Sequence, residues 1–382
     1  MGRLEVLPRT IYFFFFAAIA SLFPFLVIHY QELGLSGTQI GILAALNPLV
    51  TVIATPLWGT LADATQRYKQ LLLVMMAGCL VTVFLLSQAT QFGWLLLIIA
   101  LFAFFAGSVM PLIDSSVLAQ LEKKERYGKL RLWGTVGFGV TSPLVGFITQ
   151  RSGLEWAFYF YIFFFAITTV LVVFFPISST NLRKPLGVGM LEFKNKTWLI
   201  FLLTLFLGGI GLAIGGNFFL LHMKNLGATQ TYVGLSLTFA TFGELPFMMF
   251  GYKLLKRFPA KTLLLFALFF IALRLIGYSL AEVPWHFLAV QLLHGPTFAL
   301  IWIAGISYAD SLSPPHLKAT GQSLFSVALS GLGGTLGGFV GGLLYDGVGA
   351  VQTFRFAAVV LVIAAGLLFF VSRPKLLPRE NV

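Results

Sequence analysis

Twelve apolar runs fill nearly all of this 382-residue chain, and they constrain its fold more than any other feature. A helix needs about 20 apolar residues to cross the hydrocarbon core of a bilayer, and each run is long enough. Hydrophobic residues make up 58% of the chain and charged residues 10%, whereas a soluble globular protein carries about 25% charged residues. The sequence therefore predicts an all-α integral membrane protein with almost no domain outside the bilayer.

The loops between the runs indicate how the chain crosses the membrane. We expect helices over 9–30, 39–62, 69–88, 93–119, 129–150, 155–175, 197–221, 230–254, 261–281, 285–310, 318–344 and 350–372. Twenty Lys and Arg residues then lie on one side, and only Arg151 and Lys224 lie on the other. Because basic residues stay on the cytoplasmic side, both termini are expected in the cytoplasm and the protein in the plasma (inner) membrane. Topology and contact with the lipid bilayer thus explain the formal net charge of +12, and no nucleic-acid partner is expected.

The longest polar stretch, 176–196, follows the sixth run and predicts a cytoplasmic linker between two six-helix halves, 1–175 and 197–382. The halves share a sparse internal similarity, in which Leu33-Gly34 corresponds to Leu226-Gly227. Many secondary transporters are built from repeated halves, with the substrate site at their interface near the bilayer midplane. A transport site in this chain is therefore expected between the two halves.

The loop after the second run carries the pattern G-x3-D-x3-R-x-K, formed by Gly59, Asp63, Arg67 and Lys69. In this position and spacing it resembles the motif of the major facilitator superfamily, whose fold is two pseudo-symmetric halves of six transmembrane helices. The resemblance implies that these four residues form a conformational latch, in which Asp63 caps a neighbouring helix or binds a basic partner. A plain polar turn that obeys the positive-inside rule is the alternative.

Five ionisable residues lie inside the apolar runs: Asp114, Arg131, Glu244, Arg274 and His294. A charge at the centre of a bilayer is unfavourable by roughly 2.5–3.5 kcal/mol on insertion scales, so each residue needs a polar cavity or a partner. Residues equally far from the loop that joins two antiparallel helices lie at the same depth. This rule places Glu244, Arg274 and His294 near the midplane, and Asp114 with Arg131 closer to the cytoplasm. The alternative for either group is a structural or gating role that fixes helix register.

Three runs carry a closer resemblance: PLID at 111–114, YGKLRLWG at 127–134 and QLLHGPTF at 291–298. They look like the phenylpropionate permease branch of the superfamily, which is related to lactose permease. The resemblance implies that Asp114 and Arg131 contact the substrate, and that Glu244, Arg274 and His294 couple transport to protons. Further candidates for substrate binding, with helix packing as their alternative role, are Trp133, Asn217, Gln291 and Trp302.

These features predict a secondary active transporter that carries a small organic solute, such as an aromatic carboxylate, sugar or nucleoside, by proton-coupled symport and alternating access. The sequence holds no glycine-rich phosphate loop, nucleophile–base arrangement or metal-ligand cluster, so neither an ATP-driven pump nor an enzyme is expected. We expect no cofactor, a proton gradient as the energy source and a functional monomer. An efflux antiporter with reversed coupling stays open as an alternative, and a non-transporting membrane receptor or enzyme is a second one.

Overall fold

The computed structural model describes residues 3–121, 126–177, 193 and 195–370, and the long elements in these residues are all helices. The first half contains α1 (Arg3–Glu32), α2 (Gly37–Thr65), α3 (Tyr68–Gln88), α4 (Phe92–Ala106), α5 (Val109–Gln120), α6 (Tyr127–Ser152) and α7 (Glu155–Phe174). The second half contains α8 (Lys196–Asn225), α9 (Gln230–Arg257), α10 (Ala260–Ser279), α11 (Pro284–Gln291), α12 (Leu300–Leu312), α13 (Lys318–Ser326) and α14 (Gly334–Phe370). Most of the predicted linker lies outside the described residues.

The helices confirm the predicted all-α membrane fold. Ten helical segments are long and apolar enough to cross a membrane, and the pair Pro284–Gln291 with Gly295–Leu312 is one more crossing, bent by 46°. One of the ten, Thr320–Phe369, is 50 residues long, which is about twice the length of a single span. It breaks at Gly349, where φ is 80°, a left-handed conformation that glycine adopts without steric penalty. The break divides it into two crossings, so the described residues hold the twelve crossings that the sequence predicts.

Three crossings in the described residues contain an interruption, and two of these interruptions lie beside ionisable residues, whereas the third is the π-helical segment Val327–Gly333 between α13 and α14. The fourth crossing divides into α4 and α5 at Gly107 and Ser108, six residues before Asp114. The tenth crossing passes from α11 into a π-helical segment, Gly295–Ala299, and then into α12. Pro296 within this segment has no backbone N–H to donate, which removes one bond of an ordinary α-helix. Such π segments often occur at functional sites, and this one directly follows His294.

Two rows of glycines, on α14 and on the π-helical segment Val327–Gly333 before it, let this crossing pack closely against two other helices. Gly333, Gly337 and Gly341 face α8 of the same half. A second stripe, which contains Gly338 and Gly342, faces α2 of the other half, where a Cβ on Gly338 would lie 3.0 Å from the Ala45 nitrogen. Glycines spaced four apart let helix backbones approach closely in a membrane. One crossing thus packs within its own half and across the interface at once.

The bundle has two ends, which differ in how the halves meet. We call the end where α3 and α10 begin the basic end, since Lys69 and Lys261 lie there. At the opposite end, Asp346 of the second half accepts hydrogen bonds from the backbone nitrogens of Gly37 (2.6 Å) and Thr38 (2.7 Å) of the first half. The Thr38 hydroxyl donates to the same carboxylate at 2.6 Å. This carboxylate therefore caps the N-terminus of α2 across the interface of the halves.

Three further polar contacts join the halves at the opposite end. The Gln31 amide donates to the Asn225 Oδ1 atom at 2.6 Å, and Thr231 donates to the Gln150 Oε1 atom. Glu32 forms an ion pair with Lys224 across 3.7 Å. Deeper in the bundle, α6 and α9 stay in contact as far as Gly139, whose carbonyl accepts from the Thr238 hydroxyl at 2.9 Å. The opposite end of the interface is therefore closed.

Candidate functional site

The first half places Asp114 and Arg131 together beside α1. The Nε atom of Arg131 on α6 lies 4.0 Å from the Oδ1 atom of Asp114 on α5. The Tyr12 hydroxyl donates to the same oxygen atom at 2.7 Å. The guanidinium of Arg131 lies over the Phe16 ring, 4.1 Å from its centroid. Asp114 is thus bonded to Tyr12 and paired with Arg131, and the guanidinium makes a cation–π contact with Phe16.

Tyr12 and Phe16 belong to this site but are absent from the residues that the sequence singled out. They are four residues apart, so both side chains face the same side of α1. Gly134 and Gly137 on α6 allow this contact, because a Cβ on Gly134 would lie 2.5 Å from the Phe16 ring. The hydroxyl of Tyr12, next to a run of four phenylalanines, was the available signal. We name Tyr12, Phe16, Asp114 and Arg131 the arginine cluster.

The second half brings Glu244 and His294 together. The Oε2 atom of Glu244 on α9 lies 3.9 Å from the Nε2 atom of His294, which immediately precedes the π segment. The imidazole is stacked on the Phe298 ring, with a centroid distance of 5.2 Å and an interplanar angle of 11°. Its Nδ1 atom is buried without a hydrogen-bond partner. The pair therefore contains two groups that can exchange protons, one of which has a nitrogen atom free.

Two glycines explain why Glu244 and His294 approach each other. Gly243 packs against the Leu292 carbonyl, and Gly295 packs against the Gly243 carbonyl. A side chain at either position would push α9 away from the tenth crossing. The residues next to these glycines are Glu244 and His294, so the close helix contact brings the carboxylate to the imidazole. We name Glu244, His294 and Phe298 the histidine cluster.

Arg274 lies behind the histidine cluster and is buried within the second half. Its Nε atom donates to the Tyr278 hydroxyl at 2.7 Å, and its Nη2 atom donates to Gln291 Oε1 at 2.5 Å. Its Nη1 atom donates to the Thr297 hydroxyl at 3.3 Å, and this hydroxyl in turn donates to the His294 carbonyl at 2.7 Å. These hydrogen-bond partners are all neutral. Arg274 therefore influences His294 through its charge and through Thr297, and not through direct contact with Glu244.

The two clusters face each other across the interface of the halves. Gly139 on α6 packs against Thr241 on α9, and Arg131 and Glu244 both lie on the basic-end side of this contact, so the guanidinium of one half and the carboxylate of the other face each other. The side chains of Arg131, Asp114 and His294 are 31%, 26% and 24% exposed, and that of Glu244 is 13% exposed. Ionisable groups of both halves are therefore partly accessible where the halves meet, and we take this place as the candidate site.

The other predicted substrate-binding residues lie in different surroundings. Gln291 is fully buried and serves as the acceptor for Arg274 and Tyr278. Trp302 is half-buried, with its ring centroid 6.2 Å from Phe298, and Asn217 is half-buried on α8. Trp133 is 43% exposed and belongs to a stripe of exposed apolar residues on α6 that continues through Val136, Val140, Leu144 and Phe147. A stripe of exposed apolar residues is typical of a lipid-facing helix surface, and the helical spacing places Trp133 on the other side of α6 from Arg131.

The predicted latch residues are bonded within the first half. The Asp63 carboxylate accepts from the Tyr68 hydroxyl at 2.6 Å, and the Lys69 ammonium donates to the Val173 carbonyl at 2.5 Å. Arg67 is exposed, and a Cβ added to Gly59 would meet no atom within 4 Å. The described contacts of Asp63 therefore stay on its own half, in contrast to those of Asp346 at the opposite end.

A small cavity of about 120 Å³ lies inside the first half, next to the break between α4 and α5. Five aromatic side chains line part of it, and Asn47 with Thr51 adds polar groups from α2. The Thr51 hydroxyl hydrogen-bonds to the Asn47 Oδ1 atom at 3.4 Å. Its position within one half separates it from the candidate site where the halves meet.

Two halves of membrane-spanning helices with ionisable groups where they meet are typical of a membrane transport protein. Comparison with known proteins makes the class specific. Residues 8–356 match the family described as "MFS_1 like family", so the chain belongs to this family of major facilitator transporters. The predicted superfamily is confirmed, and the chain is a transporter and not an enzyme.

Relatives and solved structures extend over almost the whole chain. The maltose permease of Geobacillus stearothermophilus is 30% identical over 367 residues, which cover 92% of this chain and 91% of the permease. The "Probable 3-phenylpropionic acid transporter" of Escherichia coli (strain K12) is 23% identical over 309 residues, covering 78% and 80% of the two chains. The crystal structure of the nucleoside transporter NupG superposes with a TM-score of 0.85 at 20% identity, covering 96% of this chain and 98% of NupG. The fold is that of this transporter class, and the relatives carry different small organic solutes.

Proposed function

We propose that this protein takes up a small organic solute by proton-coupled symport, with the two halves rocking around a central cavity at the candidate site. The observation that supports this most strongly is the position of Glu244. It is a carboxylate of one half that contacts a titratable imidazole at 3.9 Å and also interacts with Arg131 of the other half. A proton on Glu244 removes the charge that attracts both partners. Protonation of the Glu244 carboxylate thus changes the attraction between the two halves directly.

The steps of the proposed cycle follow from the two clusters. With the cavity open to the outside, a proton binds the Glu244 carboxylate, and the solute binds beside Arg131 and Asp114. The cavity then closes at the opposite end, where this structure holds the Asp346 hydrogen bonds, and opens at the basic end. Solute and proton leave, and Glu244 regains its attraction to Arg131. The proton gradient supplies the energy for accumulation, and no cofactor takes part.

The orientation and the solute class belong to the same proposal. The basic end faces the cytoplasm by the positive-inside rule, so the protein lies in the plasma (inner) membrane with both termini inside. Candidate solutes are aromatic carboxylates, sugars and nucleosides, since the relatives carry maltose, 3-phenylpropionate or nucleosides by their names. One chain contains both halves and the whole cavity, so the functional unit is a monomer.

Uptake into proteoliposomes tests the coupling. Purified protein is reconstituted, and uptake of maltose, uridine and 3-phenylpropionate is measured with an acidic outside and with equal pH. We expect at least one solute to accumulate only with the inward proton gradient, and an uncoupler to abolish accumulation. Accumulation that is unaffected by the uncoupler would contradict proton coupling. Solute expulsion driven by the same gradient would favour the antiporter instead.

A further inference from the structure

We infer that the central cavity selects a neutral, hydroxyl-rich solute and excludes carboxylates. This inference rests on the proposed function, since it concerns the solute that the same site carries. It starts from the charge balance of the arginine cluster. The Nε atom of Arg131 lies 4.0 Å from the Asp114 carboxylate, so the two charges offset each other, and in the proposed cycle Glu244 is protonated when the solute binds.

The second arginine, Arg274, does not supply a positive charge that a solute in the cavity can reach. Arg274 is only 8% exposed, and it donates its three hydrogen bonds to Tyr278, Gln291 and Thr297. A solute carboxylate would have to displace these buried partners to reach it, which leaves Gln291 and Tyr278 without a donor or acceptor. Unsatisfied buried polar groups are unfavourable. The accessible guanidinium at the candidate site is therefore Arg131, and it is already paired.

A carboxylate and a hydroxyl differ in what they can do beside these groups. An ionised carboxylate only accepts hydrogen bonds, so beside Asp114 it meets a like charge and competes for a guanidinium that is already paired. A hydroxyl both donates and accepts. A solute with several hydroxyls can donate to the Asp114 carboxylate and accept from the Nη atoms of Arg131 at the same time, and it can also hydrogen-bond to the protonated Glu244. Because the Nε atom of Arg131 faces Asp114, its Nη atoms stay available for this role.

Aromatic rings beside the charges fit the same class of solute. The Phe298 ring stacks on His294, and Trp302 follows one helical turn later, with its ring centroid 6.2 Å from that of Phe298. A sugar ring has an apolar face bounded by hydroxyls, which matches a ring flanked by polar groups. Asp114 then acts as a specificity-determining residue, because it neutralises the one cation that would attract an anion.

The test uses solute pairs that differ by one carboxylate: methyl glucoside with methyl glucuronide, and uridine with its 5′-carboxylate. Maltose and 3-phenylpropionate complete the panel. In gradient-driven proteoliposomes we expect the neutral member of at least one pair to enter at least about tenfold faster than its carboxylate. Preferred uptake of the carboxylates would overturn the inference and leave proton-coupled transport standing. Failure of every compound to enter would contradict the transport function itself.

The variant Asp114→Asn supplies the second part of the test. Without its paired carboxylate, Arg131 is free to bind an anion, so the preference for the neutral member should fall by at least about tenfold. Asp310→Asn is the matched control. Asp310 accepts a hydrogen bond from the Lys318 ammonium at 2.9 Å and lies near the end of α12 at the basic end, away from the two clusters. An unchanged preference in Asp114→Asn, in protein that still binds solute, would contradict the role of Asp114.

A second observation carries an independent proposal: Asp346 is a latch that holds the opposite end of the halves closed. Its carboxylate accepts three hydrogen bonds from Gly37 and Thr38 at the N-terminus of the other half's α2. Charge-assisted hydrogen bonds of this kind are stronger than neutral ones. The contact breaks as a unit when the halves separate, since all three donors lie on one helix.

Spin-label distances test this latch without a transport assay. Labels at Gln91→Cys and Glu282→Cys, both exposed at the opposite end, report the separation of the halves in a Cys79→Ala background. We expect one short distance in the parent protein and an added longer population in Asp346→Asn and Thr38→Val. Asp310→Asn should keep the parent distribution. An unchanged distribution in Asp346→Asn and Asp346→Ala, with unaltered thermal unfolding, would overturn the latch.

Discussion

The two charged clusters differ in the chemistry of their partners, although each half contributes one. In the arginine cluster, a permanent cation is held by a phenol-bonded carboxylate and an aromatic face. In the histidine cluster, a carboxylate meets an imidazole, so both members can gain or lose a proton. Arginine keeps its proton at any physiological pH, whereas a carboxylate and an imidazole are both groups that can gain and lose one. The difference indicates that one half binds the solute and the other handles the proton.

The largest effect is expected from Glu244→Gln, which keeps the shape of the side chain and removes its titration. Accumulation against a gradient should be abolished, while exchange of labelled for unlabelled solute should continue. Both activities are measured in the same proteoliposome preparation. Glu282→Gln, an exposed position near the start of α11, is the matched control and should behave as the parent protein. Exchange lost together with accumulation would assign Glu244 to solute binding and break the division between the clusters.

Arg131→Lys tests the other cluster. Lysine keeps the charge but lacks the planar group that contacts Phe16 and offers several donors. We expect the half-saturating solute concentration to rise by more than about tenfold, with the proton-to-solute ratio unchanged. Initial uptake rates over a range of solute concentrations give the first quantity, and pH recording gives the second. A changed ratio with unchanged affinity would mean that Arg131 serves coupling instead.

Arg274→Met separates structural support from coupling. The substitution removes a buried donor from Tyr278, Gln291 and Thr297. We expect a loss of stability of about 1–3 kcal/mol, which is the usual effect of leaving buried polar groups unpaired. Thermal unfolding in detergent measures it, and uptake in surviving protein reports coupling. Full stability with lost accumulation would show that Arg274 takes part in proton transfer and does not serve as structural support.

The smallest effect is expected from Trp133→Leu, although Trp133 follows Arg131 by only two residues. Its side chain belongs to the exposed apolar stripe of α6, so the change keeps an apolar group toward lipid. Uptake rate and half-saturating concentration should stay within about twofold of the parent values, since exposed substitutions rarely matter by more than about 0.5 kcal/mol. A strong loss of solute affinity would show that this face of α6 also contacts the solute.

The fold and the depth of the charges could be predicted from the sequence because both depend on distances along helices. Apolar length determines a crossing, and the rise per residue determines depth. The structure accordingly brings Glu244 to His294 and Asp114 to Arg131. Depth alone does not give rotation about the helix axis. This is why Arg274 shares a depth with Glu244 but faces into its own half.

Other parts of the site depend on contacts between distant segments, which leave weak signals in one sequence. Tyr12 joins Asp114 only because glycines on α6 let α1 approach, and Asp346 caps a helix of the other half. Trp133 shows a different case, in which residue type predicts binding while the spacing of exposed apolar residues on α6 favours a position toward lipid. The two predictions differ because periodicity reports which face of the helix a residue occupies, and Trp133→Leu distinguishes them.

Proton movement during solute flux tests the central claim most directly. Proteoliposomes with no pH gradient receive a solute gradient, and an internal pH indicator records protons that enter with the solute. The account predicts acidification in the parent protein and none in Glu244→Gln, with solute still crossing by exchange in both. Equal acidification in the parent protein and in Glu244→Gln would contradict the assignment of the proton to the histidine cluster.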